Sequence, residues 1–66
     1  MKIFLEKDNK TIDFEVLKEK TISDVLKELD ISIESVIILK NDQVTIEEDI
    51  VINSDSLKVL SVVSGG

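Results

Sequence analysis

The sequence predicts an α+β domain: one mixed sheet of four to five strands with a single helix packed across it. Three observations carry this. Short runs rich in β-branched residues recur with strand-like alternation, and one stretch alone switches to helical spacing. The chain has 66 residues, which bounds it to a single domain, residues 1–66, with a small core.

KIFLEK (2–7) and TIDFEV (11–16) read as the two strands of a hairpin. In the second, Ile12, Phe14 and Val16 point one way, and Asp13 and Glu15 the other. The connector Asp8-Asn9-Lys10 has turn chemistry, because Asp and Asn tolerate left-handed backbone angles. In TISDVLKELD (21–30), Ile22, Val25, Leu26 and Leu29 mark one face of a helix. Thr21 is placed to cap it, with Asp24 three residues on as in a capping box. SVIILK (35–40) is a strand, Asn41-Asp42-Gln43 a turn, and VTI (44–46) a short return strand. IVI (50–52) is a further apolar stretch, and Asn53-Ser54-Asp55 turns into the last strand, LKVLSVV (57–63). Placing that strand parallel to the first lets one helix cover one sheet, which is a β-grasp.

Alternation along the strands predicts an exposed apolar face. Ile3 and Leu5 should face the core, leaving Phe4 outward. Lys40 should face solvent, which puts Ile38 on its side and sends Ile37 and Leu39 inward. Lys58 should face out with Leu60 and Val62, and Leu57 and Val59 should be buried. Phe4, Ile38, Leu60 and Val62 are thus the expected partner-binding patch.

Composition excludes several classes of function. Fourteen acids against eight lysines give a net charge of −6, with no arginine or histidine. That balance opposes binding to nucleic acid or to an anionic membrane, and suits a partner with a basic surface. Without cysteine there is no disulfide and no thiolate metal site, which fits a cytoplasmic location. No apolar run approaches the ~20 residues of a bilayer span, and MKIFLEKDNK lacks the pattern of a signal peptide. The usual general bases and nucleophiles, His and Cys, are missing. Glu47-Glu48-Asp49 lacks the spacing of a calcium loop and reads as a solvated acidic turn, and Asp24 with Glu28 reads the same way. Nothing points to an enzyme, and nothing demands a dimer, so a monomer is expected.

The remaining feature is the ending VVSGG, which holds the only two glycines of the chain. MKIFLEK, TIDFEV, TISDVLKEL and SLKVLSVVSGG together resemble ubiquitin-like β-grasp proteins. The length, the Gly-Gly ending and the stretch from Ser32 onward are most similar to the sulfur-carrier branch. That branch includes the thiamine and molybdopterin carriers ThiS and MoaD, and the small archaeal modifier proteins. Many relatives have glycine in the turns where this chain has Asn41-Asp42 and Ser54-Asp55.

The resemblance implies that Gly66 is the reacting residue. An E1-like adenylyltransferase would use ATP and Mg²⁺ to convert its carboxylate to an acyl-adenylate, and the chain itself would bind no cofactor. Sulfur from a sulfurtransferase would then displace AMP and leave a thiocarboxylate, which passes to a thiazole, a molybdopterin precursor or a tRNA base. In a modifier role, a lysine amine of a target protein would attack instead. Ser64 and Gly65 would thread this terminus into the partner's active site, where a residue without Cβ passes most easily. The resemblance also places the E1-like contact on the open sheet face. The competing reading is an acidic, non-covalent interaction module with an incidental Gly-Gly tail.

Overall fold

A computed structural model of the chain describes residues 1–62. Strands β1 (Lys2–Leu5) and β2 (Lys10–Asp13) form the expected antiparallel hairpin, with Ile3 opposite Ile12. Its turn uses Asn9 at φ 48°, a left-handed angle that Asn tolerates. β2 stops earlier than the alternation suggests. Phe14 N–H still donates to Met1 O at 2.8 Å, and Val16 N–H donates to Asn53 Oδ1 at 3.0 Å.

A short strand that the sequence reading missed, β3 (Lys20–Thr21), precedes helix α1 (Ile22–Glu28). The capping box is formed: Asp24 N–H donates to Thr21 Oγ1 at 3.1 Å, and Thr21 N–H reaches Asp24 Oδ2 at 3.4 Å. The acidic loop completes the cap. Ile22 N–H donates to Asp49 O and Ser23 N–H to Glu47 O, both at 2.9 Å, so two orphan helix amides are satisfied by backbone. At the other end Asp30 takes φ 58°. Ile31 N–H donates to Leu26 O, and Asp30 N–H to Lys27 O. This is a Schellman closure in which Asp stands where glycine is usual.

After a 3₁₀ turn (Ile33–Ser35) come β4 (Val36–Lys40), β5 (Gln43–Val44), β6 (Ile50–Val51) and β7 (Ser56–Ser61). Asn41 and Asp42 make the β4–β5 turn at φ 52° and 69°, the two left-handed angles a tight hairpin needs. The main sheet is five-stranded, in the order β2-β1-β7-β4-β5. β7 lies at its centre, parallel to β1 and antiparallel to β4. β3 and β6 pair in a separate two-stranded sheet. With α1 on one side of this mixed sheet, the fold is a β-grasp.

Ile22, Val25 and Leu26 of the helix share one buried cluster with Ile3, Leu57 and Val59 of the sheet, and Met1, Val16, Ile38 and Val51 belong to it too. The facing of β4 expected from the sequence is reversed: Ile38 turns inward, and Ile37 and Leu39 turn to the open face. Ile38 is 2% exposed and belongs to the core, whereas Ile37 is 45% exposed on the open face. The mistaken premise was Lys40. It lies on the core side of β4 at the rim, where its stem runs past the core edge. Its ammonium meets Asp49 Oδ2 at 2.9 Å and Ile50 O at 3.2 Å. A lysine at a strand end does not have to share the open face.

Candidate functional site

The sheet register assembles the open face. Phe4 of β1 lies opposite Lys58 of β7, Lys58 opposite Leu39 of β4, and Leu39 opposite Val44 of β5. Cross-strand partners share a face, so these four side chains form one row across the sheet. The next row is Leu60 of β7 opposite Ile37 of β4. Beyond it, Val62 N–H donates to Ser35 O at 3.0 Å, which carries the chain out along the same line.

Phe4 and Leu60 are half-buried here, while Val44 and Val62 are 75% and 46% exposed. Of the four residues expected in the patch, the register places Phe4 and Leu60 on this face, and Val62 follows just past the last register pair. Ile38 is not on it, and Ile37 occupies its place beside Leu60. Leu39, expected to point inward, belongs to this face, as does Val44, which the sequence reading had not assigned to it. The signal was available in the hairpin: a two-residue turn at Asn41-Asp42 pairs Lys40 with Gln43, and so sets Val44 beside Leu39.

Charge on the face is mostly paired. Lys58 Nζ lies 3.0 Å from Asp42 Oδ1, and Lys2 Nζ lies 2.7 Å from Asp13 Oδ1. The Lys2 hydrogen bond, with its charge, holds the Asp13 carboxyl below its usual range. Such exposed pairs contribute little to stability. They leave the apolar centre of the face flanked by neutralised groups.

The acidic loop is not simply solvated. Asp49 accepts from Thr45 Oγ1 at 2.6 Å and from its Lys40 partner, and both lower its pKa, Thr45 first. Glu28 pairs with Lys20, whose ammonium also lies 5.3 Å from the Phe14 ring centroid. Among the described residues, no group of His, Cys, Asp and Glu could hold a metal ion. Nor is any described helix long and apolar enough to cross a membrane.

Ser64, Gly65 and Gly66, expected to carry the chemistry, lie outside the described residues. β7 delivers the chain to them from the middle of the sheet, held by ladders on both sides. At its end, Ser61 N–H donates to Glu6 Oε1 at 3.0 Å.

Comparison with solved structures supports the same architecture. The crystal structure of the thiamine biosynthesis protein ThiS from Geobacter metallireducens matches with a TM-score of 0.68. The match covers 100% of both chains at 18% sequence identity, a likeness of fold. A search among curated proteins finds no match. The family model of small archaeal modifier protein 2 matches residues 3–63, nearly the whole length. The chain belongs to the small archaeal modifier protein 2 family.

Proposed function

We propose that this chain is a ubiquitin-like carrier and modifier rather than an enzyme, and that its reacting group is the Gly66 carboxylate. The observation that carries the reading is the Gly65-Gly66 sequence four residues past a doubly paired central strand, in a member of this modifier family. A carboxylate is a poor electrophile. An E1-like enzyme with ATP and Mg²⁺ joins it to AMP and releases pyrophosphate. A sulfur nucleophile then displaces AMP to give a thiocarboxylate, or a target lysine amine displaces it to give an isopeptide bond. The chain contributes the C-terminal carboxylate and a docking face, and the partner contributes the catalytic groups.

The docking face of this reading is the open-face patch of Phe4, Ile37, Leu60 and Val62. An apolar cluster of this kind, flanked by paired charges, matches the usual anatomy of a protein interface. The overall charge of −6 favours a basic partner surface and fast encounter. Absence of cysteine agrees with function in the cytoplasm.

The test uses the chain, an extract of the source cells, ATP and a sulfide source, read by intact mass. A mass shift from replacement of one oxygen by sulfur, located on Gly66, supports the carrier role. Larger species with Gly66 joined to lysine side chains support the modifier role. Neither product, in an extract shown to activate a related carrier, leaves the non-covalent interaction module.

A further inference from the structure

The sheet has a second exposed surface, on the side opposite the patch. Helix α1 has seven residues and spans about 10 Å at 1.5 Å per residue. β7 has six and spans about 20 Å. The helix is thus shorter than the strand at the centre of the sheet it packs on. A groove of about 580 Å³ opens between the helix C-terminus and the sheet. Leu29, Ile31, Val36 and Val59 provide its apolar floor. Ser61 and Val62 also line it, so the end of β7 borders the groove.

The rim carries Asp8, from the β1–β2 turn, and Asp30, from the helix closure, with Lys7 beside Asp8. Among the described residues neither aspartate is in an ion pair, whereas Asp13, Glu28, Asp42 and Asp49 each are. Two unpaired carboxylates above an apolar floor suit a side chain that is apolar along its stem and cationic at its tip. The rim's balance remains acidic with Lys7 counted.

We propose that this groove is a second docking surface, occupied by an arginine or lysine from a basic segment of the enzyme that takes up the C-terminal tail. The proposal rests on the carrier reading above. Its stem would lie on Leu29, Ile31 and Val59, and its head would meet Asp8 and Asp30. The enzyme would then grip both sides of β7 where the tail emerges: the Ile37–Leu60 patch on one side and the acidic groove on the other. Two contacts on opposite faces of one strand would fix the direction in which the tail enters.

The experiment measures the affinity of the E1-like enzyme from the same organism for three forms of the chain, at low and at moderate salt. One is wild type. The second is Asp8→Lys with Asp30→Asn, which makes the rim basic; Asn is chosen because it tolerates the left-handed angle at residue 30. The third is Glu47→Gln with Glu48→Lys, the same change of net charge at the other end of α1. The groove variant should bind about tenfold more weakly at low salt, the scale of two exposed ion pairs, with an unchanged melting temperature. Its affinity should depend less on salt than that of wild type. The Glu47/Glu48 control should lose clearly less. Equal losses in the two variants, or no loss in either, overturn the groove and leave the carrier reading intact. Wild-type chain that the enzyme neither binds nor adenylates overturns both.

Discussion

Ile37 lies directly across from Leu60, where β4 and β7 pair antiparallel at the centre of the open face. One residue further along, Ile38 lies across from Val59 and is sealed in the core. Two adjacent isoleucines thus have opposite duties. Ile37→Asp should leave the cooperative melting transition close to that of wild type, while weakening binding to the E1-like enzyme by about 1–2 kcal/mol or more. Unchanged affinity in a folded Ile37→Asp variant would remove the open face from the interface.

Ile38→Ala should do the reverse. It removes buried methylenes from a small core and should cost about 2–5 kcal/mol. That is a large part of the stability of a domain this size. Urea denaturation followed by circular dichroism reads the loss as a lower midpoint. A midpoint as high as that of Ile37→Ala would contradict the burial of Ile38.

Much of this fold was legible because its segments are locally consistent. The 3.6-residue spacing of Ile22, Val25, Leu26 and Leu29 and the Thr21–Asp24 cap specify α1 before any tertiary contact forms. The face of β4 was not legible in the same way. Its run Val36-Ile37-Ile38-Leu39 is apolar at every position, so alternation carries no information, and only the pairing with β5 and β7 decides it. β3 and β6, of two residues each, are strands only because they meet. The groove is lined by residues of the β1–β2 turn, the helix end and the end of β7, which are far apart in sequence and meet only in the folded chain.

The short helix makes its cap consequential. Thr21→Ala removes the acceptor for Asp24 N–H and should lower stability by about 1 kcal/mol. Thr21→Ser, which keeps the hydroxyl, should recover most of it. Equal urea midpoints for wild type and Thr21→Ala would show that the backbone acceptors Asp49 O and Glu47 O hold this helix end by themselves.

Asn41 and Asp55 tie the β4–β5 turn to the start of β7. Asn41 Nδ2 donates to Asp55 Oδ1 at 3.0 Å, and Ser56 N–H donates to Asn41 Oδ1 at 3.0 Å. Ile52 N–H donates to the other Asp55 oxygen at 2.9 Å. The Asn41 bond first, and then the Ile52 amide, hold the Asp55 carboxyl below the usual carboxylate range. A carboxylate depressed in the folded state stabilises the fold above the unfolded pKa, and that contribution is lost as pH falls through the folded pKa. Stability should therefore hold near neutrality and decline below roughly pH 5. Asp55→Asn should be less stable than wild type at pH 7, and the gap should narrow toward pH 3. A gap that stays constant with pH would assign the loss to packing rather than to the carboxylate.

Gly65 separates a test of the tail from a test of the fold. Under the carrier reading, the adenylating enzyme must admit the backbone at Gly66 through a passage that a side chain at residue 65 would obstruct. Gly65→Val lies past the last paired strand, so its melting temperature should match that of wild type. Adenylation, followed as ATP–pyrophosphate exchange, should fall at least tenfold. Gly65→Ala, with only a Cβ added, should fall less. Affinity for the enzyme should change little if Ile37, Leu60 and the groove are the docking contacts proposed above. A Gly65→Val chain that is adenylated at the wild-type rate would show that the passage is wide at that residue, and that the glycine pair is not what admits the terminus.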